Sequence, residues 1–136
     1  MATGNEIPWD ALFEAARGVQ QQAYAPYSKF PVGAALLAED GQIITGCNVE
    51  NSSYGLSVCA ERHAIGSAVG RGVRRFRAVA IVANSEEPCP PCGTCRQVLA
   101  EFCGPDTPVR SRTPDGTEAR YTLAELLPHA FNRDFL

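Results

Sequence analysis

The chain has no excess of basic residues: 12 Lys and Arg face 15 Asp and Glu, giving a formal net charge of −3. Without a basic stripe there is no footprint for a nucleic-acid backbone, which argues against a polynucleotide partner. No apolar run approaches the roughly 20 residues that span a bilayer, so no membrane association is expected. Met1 to Trp9 shows no basic region followed by an apolar run, so no secretory leader is expected and the protein is placed in the cytoplasm. Disulfides are rare in that compartment. The six cysteines, at positions 47, 59, 89, 92, 95 and 103, therefore read as metal ligands and buried thiols. Internal repeats, low-complexity tracts and linkers are also missing. For 136 residues this leaves a single domain, 1–136, long enough to bury a core unaided.

What is present suits a globular α/β chain. Pro8 stands where a first helical residue is favoured, and Trp9, Leu12, Phe13, Ala16 and Ala23 recur at helical spacing. Pro26 disfavours helical geometry at Ala25, so this helix is expected to end near Tyr24. The apolar run Val32 to Ala38, the turn signal Asp40-Gly41 and the stretch Gln42 to Val49 together predict an antiparallel hairpin. Val58 to about Gly70 has helical character, Phe76 to Ala83 reads as a buried strand, and Gly93 to Phe102 reads as another helix. Short strands around Val109 and Ala119–Tyr121 flank Asp115-Gly116, and a last helix starts at Leu123, restricted by Pro128. The order αββαβαββα predicts a three-layer α/β/α sandwich with a mixed five-stranded sheet. Helices linking the second, third and fourth strands suit right-handed parallel crossovers.

Two motifs carry the chemistry. Cys59-Ala60-Glu61 is followed, 33 residues after Cys59, by Cys92 in Pro91-Cys92-Gly93-Thr94-Cys95. Three thiolates can hold a zinc ion with a coordination position left open, which is the usual arrangement of a catalytic rather than a structural site. Both motifs sit at helix beginnings, where first-turn side chains surround the axis end and can approach one point. Backbone N–H groups and positive dipole ends there favour thiolate over thiol. Glu61 is the acid/base beside the metal. Zinc with three thiolates keeps a net charge of −1, so Arg62 and Arg96 are candidates to withdraw charge through N–H···S bonds. The competing reading is a closed four-ligand site, with Cys89, Cys47, Cys103 or His63 as the fourth. In Cys89-Pro90-Pro91-Cys92 the two prolines lack N–H donors and hold an extended chain, keeping Cys89 away. A thioredoxin-like pair at Cys92 and Cys95 leaves Cys59 and Glu61 unexplained. Cys47 and Cys103 read as small buried hydrophobes, and His63 and His129 as helix-surface residues.

A carboxylate beside such a ligand set is the signature of zinc nucleobase deaminases, in which the first ligand is often His and here is Cys59. The segment from Tyr24 through Leu127 resembles the small, homotetrameric type of cytidine deaminase. The matching stretches are Ala25-Pro26-Tyr27-Ser28-Lys29-Phe30-Pro31-Val32-Gly33-Ala34-Ala35, Gly46-Cys47-Asn48-Val49-Glu50-Asn51, Cys59-Ala60-Glu61-Arg62, Pro91-Cys92-Gly93-Thr94-Cys95-Arg96-Gln97 and Leu126-Leu127-Pro128. The resemblance implies one Zn2+ per chain on Cys59, Cys92 and Cys95, with Glu61 as proton shuttle. It implies that Asn48 and Glu50 bind the ribose 3′-hydroxyl, Phe30 packs against the base, and the Ala60 backbone bonds the base carbonyl. It further implies that Tyr54 and Phe131 enter the pocket of a neighbouring subunit in a homotetramer. Gln97, with Arg62, would support the metal's surroundings.

The activity so implied is hydrolytic deamination of the nucleosides cytidine and deoxycytidine, in pyrimidine salvage. Deamination of another base or of a nucleoside antibiotic uses the same metal chemistry, and a zinc-stabilised binding module is the rival of a different class. The tail departs from the family pattern. Where glycine and proline usually follow the Phe131 position, this chain has Asn132-Arg133-Asp134-Phe135-Leu136. Asn132 and Arg133 accept glycine's backbone angles less freely, which puts the aim of Phe131 in question and makes Phe135 a possible substitute.

Overall fold

The structure is a computed structural model and describes residues 6–136; Met1 to Asn5, part of the stretch read for a leader, lie outside the described residues. Helix α1 runs Trp9–Gln20, with Pro8 one residue before the first helical position rather than in it, and Leu12, Phe13 and Ala16 are buried along one face. It ends four residues short of the expected Tyr24. The Tyr24 backbone is taken instead by a bridge to Val49, donating to the Asn48 carbonyl at 3.0 Å and accepting from Glu50 N–H at 2.8 Å. A contact formed with a segment some 25 residues away thus overrides the helical pattern.

Strands β1 (Val32–Ala38) and β2 (Ile43–Cys47) form the expected antiparallel hairpin. Gly41 turns it at a φ of 92°, a conformation that glycine adopts without the Cβ penalty. Helix α2 (Ala60–Gly70) leads to β3 (Phe76–Ala83), and α3 (Gly93–Phe102) leads to β4 (Pro108–Arg112). A second hairpin adds β5 (Glu118–Thr122), and Thr122 with Glu125 builds a capping box for the single turn α4 (Leu123–Leu126).

The sheet order is β2-β1-β3-β4-β5. Only β3 and β4 pair in parallel; β2 and β3 run the same way, but β1 lies between them and pairs antiparallel with both. Side chains alternate across this mixed sheet and feed two separate cores. Ala35, Leu37, Ala78, Ala80 and Val82 pack against Leu12, Phe13 and Ala16 of α1. Leu36, Ile44, Val79 and Ile81 pack on the other face against Ala64, Ile65 and Ala68 of α2 and Leu99 of α3. The three-layer sandwich expected from the sequence is therefore what forms. Gly46 sets how close α2 lies: a Cβ there would stand 2.4 Å from Ala64 N and 2.5 Å from Ala60 O. The first turn of α2 can rest on β2 only because residue 46 has no side chain.

Candidate active site

Helices α2 and α3 bring their N-termini to one place. Cys59 is the N-cap residue of α2 and Cys92 that of α3, both in extended backbone conformation, and Cys95 lies in the first turn of α3. The Cys59 and Cys92 sulfurs are 3.7 Å apart, those of Cys92 and Cys95 3.4 Å, and all three lie within 4.8 Å of one another. Zinc–sulfur bonds of about 2.3 Å in a tetrahedron set sulfurs about 3.8 Å apart, so the trio fits that ion. Among the described residues it is the one group of His, Cys, Asp or Glu side chains so disposed.

The electrostatics single out Cys59 as the thiolate of the trio, since the contact with Cys95 that lowers Cys59 raises Cys95. Hydrogen bonding from Cys95, helped by Arg62 and Cys92, outweighs partial burial and lowers the Cys59 thiol to about 5. Arg62 Nη2 sits 3.9 Å from that sulfur and donates to the Ser57 carbonyl at 3.3 Å. Glu61, only 4 % exposed, is buried at the cluster. Burial raises its carboxyl above the ordinary value, and the negative charge of Cys59 adds to the effect. Such a carboxylate binds a proton more readily than a solvated one, as a shuttle must.

Beside the sulfurs is a cavity of about 250 Å³ lined by Phe30, Asn48, Glu50, Ala60 and Glu61, together with Cys59 and Cys92. All of these are candidate residues from the sequence. Cys89 also lines the wall, half-buried, with its thiol 3.5 Å from the Pro90 carbonyl, and stands outside the three-sulfur group. Ser28, Val32, Ile81 and Pro90 complete the lining; sequence reasoning named none of them as a substrate contact. A slightly larger apolar groove, about 290 Å³, lies against Cys103, Leu123 and Leu127. It contains none of the three sulfurs and not Glu61, so the smaller cavity is the chemically equipped one.

Several long side chains go elsewhere than expected. Arg96 does not donate to sulfur: its Nε reaches the Pro91 carbonyl at 2.7 Å and Nη1 the Leu126 carbonyl at 3.0 Å, tying α3 to α4. Gln97 donates to the Phe131 carbonyl at 2.9 Å, so its amide holds the C-terminal tail rather than the metal's surroundings. His63 is half-buried, with Nδ1 2.9 Å from the Cys47 carbonyl, and so is a clasp between α2 and β2 rather than a helix-surface group. Cys47 is only half-buried, whereas Cys103 is buried, which pushes its thiol up to about 12.

Tyr54 and Phe131 lie outside the cavity of their own chain, 75 % and 59 % exposed. Tyr54 meets Tyr27 edge-on, and Phe131 stacks on Phe135 with ring centres 5.7 Å apart. Asn132 is extended and accepts a hydrogen bond from Asp134 N–H, starting a short 3-10 turn over Arg133–Phe135. The left-handed residue of this tail is His129, at a φ of 54°, and not Asn132 or Arg133.

Two helix N-termini bring a zinc-spaced sulfur trio to the end of one cavity that Cys59, Cys92 and the buried Glu61 line, which is the layout of a zinc-dependent deaminase site. Comparison with known proteins narrows the class. Residues 9–110 match the family model for the cytidine and deoxycytidylate deaminase zinc-binding region. A cytidine deaminase of Sporosarcina psychrophila is 53% identical over 127 residues, covering 93% of each chain. One from Halalkalibacterium halodurans is 49% identical over 123 residues, covering 90% of this chain and 93% of the relative. The crystal structure of the cytidine deaminase from Burkholderia pseudomallei superposes with a TM-score of 0.88 at 46% identity, covering 92% of this chain and all of that one. The chain belongs to the cytidine and deoxycytidylate deaminase family.

Proposed function

We propose that this protein, acting as one catalytic domain, deaminates cytidine and deoxycytidine hydrolytically to uridine and deoxyuridine with release of ammonia, in pyrimidine salvage. The observation that carries the proposal is the placement of Glu61: a buried carboxylate lining the same cavity as Cys59 and Cys92, two members of the zinc-spaced sulfur trio. Relatives of this length and identity are cytidine deaminases, which supports the choice of base.

Cys59, Cys92 and Cys95 would hold a zinc ion, which when bound would supply acidity to water, moving its pKa from about 15.7 toward 7. Glu61 takes a proton from water and delivers it to N3 of the base, which makes C4 electrophilic, and the water oxygen bonds to C4. It then carries the remaining proton of that added hydroxyl to the amine, the C4–N bond breaks and ammonia leaves, so one side chain serves in both directions. The free Ala60 backbone N–H at the start of α2 bonds the base carbonyl, and Phe30 packs against the ring. Asn48 and Glu50 receive the ribose 3′-hydroxyl; none of these residues is assigned to the 2′ position, so both sugars are accepted. Arg62 stabilises the charge on Cys59.

Tyr54 and Phe131 serve neighbouring subunits of a homotetramer. Their exposure and their absence from the lining of their own chain's cavity support this. Six cysteines outside any disulfide fit a cytoplasmic setting, and no helix among the described residues is long and apolar enough to cross a membrane. A spectrophotometric assay on cytidine, deoxycytidine, adenosine, guanine and cytosine, before and after zinc chelation, tests the proposal. Turnover of the two cytidines, lost on chelation and restored by zinc, is expected. One zinc per chain with no deamination of any base would instead leave a binding module.

A further inference from the structure

We propose that Ser28 is a positioning residue for the nucleoside: its hydroxyl locks Glu50 so that one acceptor site remains, enough for a single sugar hydroxyl. The inference rests on the nucleoside reading of this cavity given above and assigns a function to a lining residue that had none.

Glu50 is heavily engaged before any ligand arrives. Its Oε1 accepts the backbone N–H of Tyr27 at 3.0 Å and of Ser28 at 3.1 Å. Its Oε2 accepts the Ser28 hydroxyl. A carboxylate offers about four acceptor sites, and three are filled, leaving one for a donor from the cavity. A hydroxyl can take that place. A phosphate is disfavoured there, because at neutral pH it is mostly fully ionised and meets a full negative charge.

The Ser28 hydroxyl is itself fixed from both sides. Its hydrogen goes to Glu50, and its oxygen accepts Phe30 N–H at 3.1 Å. The Phe30 carbonyl in turn accepts from Asn48 Nδ2 at 2.9 Å, and Asn48 Oδ1 accepts Val32 N–H at 2.8 Å. One hydroxyl therefore joins the carboxylate assigned to the sugar with the peptide bearing the ring assigned to the base. All five residues line the same cavity. Between them, Lys29 holds a left-handed φ of 59°, uncommon for a residue with a Cβ and kept by the bonds on either side. The Ser28 hydroxyl, followed by the Ser28 and Tyr27 amides, also holds the Glu50 carboxyl below its ordinary range, so it stays a pure acceptor.

Steady-state kinetics on the zinc-loaded enzyme with cytidine and 3′-deoxycytidine test this. Ser28→Ala is expected to raise KM for cytidine about tenfold with kcat within about twofold, as loss of uniform binding does. KM for 3′-deoxycytidine is expected to stay within about twofold, because that substrate lacks the hydroxyl concerned. Ser28→Thr, which keeps the donor, is expected to restore cytidine KM. An unchanged cytidine KM in Ser28→Ala, or an equal rise for both substrates, would overturn the Ser28 assignment alone. A wild-type enzyme that turns over neither nucleoside would overturn the reading of the cavity on which it rests.

Discussion

Arg62 and Cys59 are joined across the first turn of α2: Nη2 of the guanidinium lies 3.9 Å from the sulfur and is anchored by the Ser57 carbonyl. The cation thus faces a site that three thiolates make electron-rich. Arg62→Ala is expected to weaken zinc retention about 10–100-fold, the usual effect of losing a partner that orients or polarises a ligand. Competition with a chromophoric chelator measures it. Arg62→Lys, which keeps the charge but not the planar fork, should fall between the two.

Glu61 occupies a buried position that an amide of the same shape can fill. Glu61→Gln is expected to keep zinc and the fold while losing about 10²–10⁴-fold in kcat, the range for removal of a general acid/base. Metal analysis alongside turnover checks it. Near-normal turnover with zinc in place would move the proton transfers to another group.

The close rest of α2 on β2 makes Gly46 a stability hot spot. Gly46→Ala places a methyl against backbone atoms of Ala60 and Ala64, which cannot yield as a flexible side chain can. Destabilisation of about 1–3 kcal/mol or more is expected from overpacking. Denaturant midpoints give the value. A midpoint equal to the wild type would mean that α2 slides freely on the sheet.

Glu118 ties together the far edge of the sheet. It accepts from Arg112 Nε at 2.6 Å and from Arg120 Nε, with Arg110 3.8 Å away. Burial opposes ionisation, but the Arg112 and Arg120 bonds prevail and hold the carboxyl below its ordinary 4.5. A depressed folded-state pKa contributes stability that is present above the unfolded value and lost as pH falls through the folded one. Melting temperature should therefore drop below about pH 4.5. In Glu118→Gln that acid-side drop is expected to be shallower, with a lower plateau at neutral pH. Parallel curves for the two proteins would remove Glu118 from the acid response.

If Phe131 completes a neighbour's pocket, two defective chains can repair one another. Mixing Glu61→Gln with Phe131→Ala, after dissociation and reassembly, should yield some pockets with an intact carboxylate and an intact aromatic ring. Activity above the sum of the separate variants is expected. A mixture no better than its parents would confine the aromatic residue to its own chain.

Much of the fold was legible because its signals are local. The apolar run at Val32 to Ala38, the buried pattern at Phe76 to Ala83 and the helical stretch Gly93 to Phe102 became β1, β3 and α3 with those bounds. The end of α1 was not, since a bridge from Tyr24 to Val49 decides it, and nothing near Tyr24 announces that partner. The same holds for Arg96, Gln97 and His63. Each is a long side chain beside a motif, and each found a carbonyl on a segment 16 to 34 residues away.

The sequence by itself determined the chemistry of the site: three thiols and a carboxylate, spaced so that two helix starts can present them together. Residue type and spacing suffice for that, because cysteine and glutamate bring the same ligand and proton affinities to any fold. Only the tertiary structure decided which donors hold Glu50, what Gln97 grips and how closely α2 rests on β2. Those outcomes depend on ångström-scale distances between segments far apart in the chain, and a hydrogen bond forms with whichever partner the packing brings within reach.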